Sequence, residues 1–314
     1  MIDLLATVAG LLLLARAADW FVGGAVWLAD RLAVPKAVVG AVVVGIGTSL
    51  PEVLVSGLAA GRGERDIGVG NVIGSNLANL SLVLGAAGLV TTIRVDSSVL
   101  RLQAPLCAAA TVLFSLVLWQ DLTRAGGGIL LVALAVAMIV TVVVARRDDP
   151  SALTRDVAEL VLAEAAHGTK GEVTRLVVGL AGVLAGAQAL VWGAIGLADR
   201  LGLSAGFVGV TLVAVGTSLP ELVTALHAAR RGEDELIVGN VLGSNIFNCL
   251  AVGGVVGTIG HGEAVDDRLV TIGLAAMTAT TVAALAFMAH RRRVRRGEAA
   301  ALLVGYALTL PLLA

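Results

Sequence analysis

Charge is what this chain has least of. Only 14% of its 314 residues are Asp, Glu, Lys or Arg, while 58% are hydrophobic, and its mean hydropathy is +0.95. Soluble domains carry about 25% charged residues, so that class is excluded and a polytopic membrane protein remains. Cysteine is also scarce. Cys107 and Cys249 both fall inside apolar runs, which argues against a disulfide framework. Cys249 directly follows a polar motif, but the other copy of that motif has Leu80 there, so Cys249 reads as packing. The four histidines, His167, His227, His261 and His290, share no spacing, which argues against a metal site among them. No polar stretch is long enough for a separate soluble domain.

What the chain does have is uncharged or nearly uncharged runs. They cover 37–61, 67–93, 102–120, 125–145, 176–198, 201–229, 236–262 and 269–289, most of them long enough for the ~20 residues of a spanning helix. The first 30 and last 16 residues add one span each. The expected fold is therefore all-α, with about ten transmembrane helices. The first apolar stretch runs past Arg16 and Asp19 to residue 29 with no small-residue cleavage site, so it reads as a spanning helix rather than a signal sequence. Arg16 and Asp19, three residues apart, read as a pair that neutralises itself.

The same sentence is written twice in these runs. Residues 28–80 and 197–249 align without a gap at an offset of 169, with 27 identities in 53 positions. About five crossings separate the copies, an odd number, so they enter the membrane from opposite sides. This predicts inverted repeats at 1–145 and 172–314, joined by a charged connector at 146–171 whose D-V-A-E-L-V-L-A-E-A stretch suits a short amphipathic helix. Inverted repeats place ion sites near the midplane, on interrupted helices at the repeat interface. With the amino terminus outside, sixteen Lys and Arg fall on one face and five, Arg62, Arg65, Arg124, Arg200 and Arg268, on the other. The positive-inside rule then puts both termini outside and the 146–171 connector in the cytoplasm.

The best-matched stretches carry the chemistry. G-T-S-L-P-E spans 47–52 and 216–221, and G-N-V-x-G-S-N-x-x-N spans 70–79 and 239–248. Each first motif puts one carboxylate, Glu52 or Glu221, in an otherwise uncharged run, where an ionised group costs about 2.5–3.5 kcal/mol or more. Pro51 and Pro220 remove a backbone donor and clash with the carbonyls of Gly47 and Gly216, so the helix has to open there. Opened carbonyls at membrane depth need a partner, and a cation is a suitable one. Thr48 and Ser49 precede Glu52 by four and three residues, as Thr217 and Ser218 precede Glu221, which sets hydroxyls beside each carboxylate. Ser75 and Asn79, like Ser244 and Asn248, stand one helical turn apart. Carboxylate, hydroxyl, amide and carbonyl oxygens without sulfur or imidazole favour hard cations such as Ca²⁺ or Na⁺. The bland readings are helix capping for the Ser and Thr residues and close helix packing for Gly70, Gly74, Gly239 and Gly243.

At these paired motifs the chain resembles the cation/Ca²⁺ antiporter superfamily, most closely its prokaryotic sodium/calcium exchanger branch. The resemblance covers the whole length. It implies ten helices in two inverted repeats in a plasma membrane, with ions and the lipid bilayer as partners and no nucleic acid. It makes Glu52 and Glu221 the central Ca²⁺ ligands, shared with Na⁺, and Thr48, Ser49, Ser75, Thr217, Ser218 and Ser244 flanking ligands. The carbonyls of Gly45 and Ala214 complete the shell, and Asn79 and Asn248 join it as neutral groups. Some relatives have Asp at the position of Asn248, associated with potassium in the K⁺-dependent branch, so the neutral pair resembles a K⁺-independent exchanger. The H⁺-coupled branch typically has G-N ahead of its glutamate, where this chain has G-T-S. The implied function is Na⁺/Ca²⁺ antiport, not an enzyme activity, with no cofactor beyond the transported ions. Proton-coupled divalent exchange is the alternative, and a channel or a membrane scaffold a further one.

Overall fold

A backbone in a bilayer has to satisfy its polar groups within its own segment, so apolar runs become helices. The computed structural model of the protein describes residues 2–31, 49–148, 169–232, 234–261 and 264–313. In chain order the helices are α1 (Ile2–Arg31), α2 (Leu50–Gly61), α3 (Arg65–Val90), α4 (Val99–Trp119), α5 (Arg124–Asp148), α6 (Thr169–Leu201), α7 (Ala205–Thr217), α8 (Leu219–Arg231), α9 (Ile237–Ile259), α10 (Leu269–Arg292) and α11 (Arg296–Leu313). Among the described residues seven helices are long and apolar enough to cross a bilayer, or eight if the bent pair α7 and α8 counts as one. Of the expected run 37–61 only the part from Ser49 onward is described. The connector stretch 149–168, with its expected amphipathic helix, lies outside the described residues.

One feature departs from an all-α fold. Two-residue strands, β1 (Ile93–Arg94) and β2 (Arg293–Val294), pair antiparallel with Ile93 opposite Val294 and Arg94 opposite Arg293. No hydropathy signal announces so short a pairing, because each strand sits at a helix end.

The outer surface is apolar. Leu12, Val132, Ile139, Val282 and Leu308 are each more than 60% exposed, as expected where lipid rather than water is the solvent. Inside, small residues let the helices meet backbone to backbone. In α1 and α6, Gly10 meets Gly186 and Leu190, while Gly193 meets Thr7, so the two helices run antiparallel. Buried Asp3 closes their shared end by an ion pair with Arg200 at 2.5 Å. Arg16 lies over the Trp20 ring, 5.6 Å from its centroid; the side chain of Asp19, its expected partner, lies outside the described set.

Helix α3 is buried along nearly its whole length and carries the second motif. A Cβ on its Gly70 would lie 2.5 Å from the Gly206 carbonyl, and one on Gly74 would meet the Val210 carbonyl and Ala214 of α7. Close packing therefore accounts for these two glycines. Gly239 and Gly243 show no such approach among the described residues: the nearest atom to a Cβ on Gly239 is Gln103 Oε1 at 3.9 Å, and nothing lies within 4 Å at Gly243.

Hydrogen bonds sort the connections to two ends. Arg65 donates to the carbonyls of Asp121 and Leu122 at 2.9 and 3.1 Å, and the Asp266 amide donates to Asp66 at 3.0 Å. Gly206, packed on Leu269, brings the start of α7 to this end, so Arg65, Arg200 and Arg268 lie at the same end of the molecule. At the opposite end Val95 N donates to the Arg292 carbonyl at 2.9 Å and Arg296 Nε to the Leu89 carbonyl at 3.1 Å, gathering Arg94 with Arg291–Arg296.

Candidate cation site

Each glutamate helix begins at a break. Ser218 has φ −86° and ψ 6°, and α7 meets α8 at a bend of 43°. Ser49 has φ −99° and ψ 10° in the matching place before α2, and a proline follows in the first turn of both helices. A serine ahead of a helix normally turns its hydroxyl onto a free amide. Neither does so here. Both hydroxyl oxygens are buried and make no hydrogen bond among the described residues, so a capping role does not describe them.

The carboxylates lie deep inside, with Glu52 1% exposed and Glu221 fully buried. Glu52 is within electrostatic reach of Glu221 and of the Thr217 and Ser218 hydroxyls, yet neither of its carboxylate oxygens closes a hydrogen bond among the described residues. Two ionised carboxylates within electrostatic reach of each other in a low-dielectric interior repel, and a divalent cation between them reverses that sign. Helix α8 packs on the π-helical turn Ala78–Val83 of α3, and α2 packs on the matching turn Asn248–Val252 of α9. The two motifs thus cross: each glutamate helix lies against the asparagine turn of the other copy. π-Helical turns inside α-helices are frequent at functional sites.

Asn79 and Asn248 sit in those turns. Both are buried, and the oxygen and nitrogen of both amides lack hydrogen-bond partners among the described residues. Such orphaned groups cost about 1–3 kcal/mol each unless something fills the role. Ser75 is fully buried and Ser244 nearly so, at 6%. The Ala214 carbonyl accepts from Ser218 N at 3.0 Å and Thr217 Oγ1 at 3.3 Å. Gly45 and Thr48 lie outside the described residues.

Asn71 organises part of this set and had no assigned role in the sequence. Its Nδ2 donates to Ser56 Oγ at 2.8 Å, which fixes the amide plane. Its Oδ1 then accepts from Ser75 Oγ at 3.3 Å and from Thr217 Oγ1 at 3.2 Å, one from each copy of the repeat. A hydroxyl that donates toward Asn71 keeps its lone pairs free on other sides. Asn71 thereby orients the Ser75 hydroxyl and shares the single Thr217 hydroxyl proton with the Ala214 carbonyl. The signal was available, since Asn71 and Asn240 are identical across the copies and lie inside the second motif. Asn76 is a further unassigned member. Its carbonyl accepts from Asn245 Nδ2 at 3.2 Å and its Oδ1 from Cys249 Sγ at 3.5 Å, so Cys249 supports this network as well as packing.

These oxygen donors, two carboxylates among them, fit a hard cation. The model of the family described as sodium/calcium exchanger protein matches residues 2–144 and 172–313. CaxA of Alkalimonas amylolytica is 40% identical over 304 residues, covering 95% of this chain and 94% of its own. The sodium/calcium exchanger MaX1 of Methanosarcina acetivorans is 29% identical over 343 residues, covering 97% and 96%. A solved structure of the sodium-calcium exchanger NCX_Mj, soaked with Na⁺ and no Ca²⁺, superposes with a TM-score of 0.65 at 28% identity, covering 99% of this chain and 98% of that one. With both halves matched by one family model and relatives aligned almost end to end, the chain belongs to the sodium/calcium exchanger family.

Proposed function

We propose that the protein exchanges Ca²⁺ for Na⁺ across the plasma membrane by alternating access, with both ions as cargo at one site and no resident cofactor. Glu52 and Glu221 hold the ions, with Thr48, Ser49, Ser75, Asn79, Thr217, Ser218, Ser244, Asn248 and the carbonyls of Gly45 and Ala214 around them. The observation that carries Na⁺ coupling is the surplus of neutral oxygens. Ser49, Ser218, Asn79 and Asn248 present buried oxygens with no hydrogen-bond partner among the described residues, whereas a proton would need only the carboxylates. Two carboxylates balance one Ca²⁺, and Na⁺ spread over the same oxygens excludes it.

The architecture that serves this function is a pair of inverted five-helix repeats, 1–145 and 172–314, joined by the 146–171 connector. Asn245 donates to the carbonyl of Asn76, its own counterpart 169 positions earlier, and a residue meets its counterpart only near an axis of two-fold relation. The arginine-rich end carries Arg94 and Arg291–Arg296, which supports a cytoplasmic assignment for that end and for the connector, with both termini outside.

The test is ⁴⁵Ca²⁺ uptake into proteoliposomes under outward Na⁺, K⁺ or H⁺ gradients. Na⁺ alone is expected to drive uptake, with a sigmoidal dependence, and K⁺ to make no difference because Asn248 is neutral. Uptake that follows the pH gradient and ignores Na⁺ assigns the chain to proton-coupled exchange. Ca²⁺ flux that needs no counter-ion makes it a channel.

A further inference from the structure

The corner between α10 and α11 is more cationic than its fold requires. It turns through two left-handed residues, Arg291 (φ 57°) and Arg292 (φ 51°). The α4–α5 corner turns the same way through Asp121 (φ 76°) and Leu122 (φ 41°), 170 positions earlier and so within one residue of the repeat offset. That earlier corner contains no arginine in its left-handed pair. Asp tolerates this backbone better than most residues, and a single cation from elsewhere, Arg65, clamps both carbonyls. The α10–α11 corner is held differently, by the β1–β2 pairing and the bond from Val95 N to the Arg292 carbonyl. The turn is thus buildable without arginine, and the run Arg291–Arg293 adds charge rather than geometry.

That charge lines a pocket. Thr91, Thr92, Arg94, Arg291, Arg292 and Arg293 line an open pocket of about 780 Å³, with no acidic side chain among the lining residues. Arg94 stands directly opposite Arg293 in the strand pair, a placement of like charges that is destabilising unless an anion lies between them. Nearby Glu298 is engaged with the Arg295 amide at 2.7 Å. Guanidinium forks match phosphate oxygens two at a time, and the threonine hydroxyls add donors. A free phosphate and a phospholipid headgroup share this chemistry. The rim decides between them: Leu89 and Val90, immediately before Thr91, are 43% and 42% exposed, and α3, α10 and α11 all end or begin here. Apolar membrane-facing surface therefore runs straight into the basic pocket, at the depth where headgroups lie.

We infer that this corner binds the phosphate of an anionic phospholipid, with Arg94, Arg291, Arg292 and Arg293 as the phosphate-binding residues, Thr91 and Thr92 as hydroxyl donors, and an acyl chain along Leu89 and Val90.

Native mass spectrometry of the purified full-length protein tests this with three probes: phosphatidylglycerol, phosphatidylcholine and inorganic phosphate. Phosphatidylglycerol is expected to be retained roughly tenfold better than phosphatidylcholine, and millimolar phosphate to leave it in place. The double variant Arg291→Gln/Arg292→Gln alters two exposed side chains and leaves the strand pairing intact. It is expected to lose that preference with an unchanged thermal unfolding profile in lipid-free detergent. Should it prove unstable, Arg94→Gln on the facing strand carries the same expectation, and Arg291→Lys/Arg292→Lys is expected to keep most of the preference. Equal retention of the two lipids, or full retention by the folded Gln variants, overturns the site; displacement of the lipid by free phosphate overturns its assignment to a phospholipid.

Discussion

At the scale of single residues, the proposed site sets two buried carboxylates, Glu52 and Glu221, near neutral oxygens that have no hydrogen-bond partner among the described residues. Replacing Glu52 or Glu221 with Gln keeps size and removes one of the two facing charges. Either change is expected to nearly abolish ⁴⁵Ca²⁺ uptake while the protein elutes normally on size exclusion; normal flux in either variant would place the ions elsewhere. In the proposed site Asn71 stands one step back from the ions, bonded to Ser75 and Thr217. Asn71→Ala frees the Ser75 hydroxyl to turn its proton inward and leaves the Thr217 hydroxyl only the Ala214 carbonyl as acceptor, so the apparent Ca²⁺ affinity is expected to fall about 10- to 100-fold, as when groups that orient metal ligands are lost. The useful readout is the split between KM and maximal rate. A variant with lowered thermal stability and an unchanged KM would reduce Asn71 to packing.

At the scale of elements, the decisive feature is a helix that stops and restarts just ahead of Glu221. Pro220 withholds the amide that the Gly216 carbonyl would otherwise accept from, and the 43° bend between α7 and α8 follows. Pro220→Ala restores that donor and lets the two segments continue as one helix. The variant is expected to unfold at an equal or higher temperature yet transport at least about tenfold more slowly, because straightening moves Ser218 and Glu221 relative to α3. Spin labels on α7 and α8 report the angle directly, and a straightened helix with full transport would separate the bend from function. Ahead of the bend α3 packs closely on α7, with Gly70 against the Gly206 carbonyl and Gly74 against the Val210 carbonyl and Ala214.

At the scale of the whole molecule, the two glutamate helices run to opposite ends. Gly61, at the end of α2, approaches Ile259. The end of α8 shares a buried cluster with Ala87, Ile93 and Val294 at the arginine-rich end. Cysteines introduced at Arg62 and Arg230, in a chain whose own Cys107 and Cys249 are buried, are expected to react with impermeant reagents from opposite faces, with position 62 outside. Reaction of both from one face would overturn the proposed inverted relation of the halves and, with it, the proposed alternating access. Lipid contributes at this scale as well, since the exposed surface is built of Leu, Val and Ile that water would drive inward.

Much of this was legible in the amino-acid order, because the bilayer is a demanding solvent. It requires apolar runs to be helices, makes a lone buried glutamate conspicuous and lets a 169-residue repeat be read by eye. Membrane character, the helix runs, the paired motifs and the family are all set at that level. What the order left open are relations between distant residues. That Ser49 and Ser218 do not cap their helices, that each glutamate helix packs on the other copy's asparagine turn, and that Asn71 joins Ser75 to Thr217 across 146 positions depend on how helices cross. So does the meeting of Arg94 with Arg293, 199 positions apart, in a strand pair too short to leave a pattern. Periodicity reports which face of a helix is apolar; only tertiary packing decides which polar atoms on the remaining face meet each other and which are left for an ion.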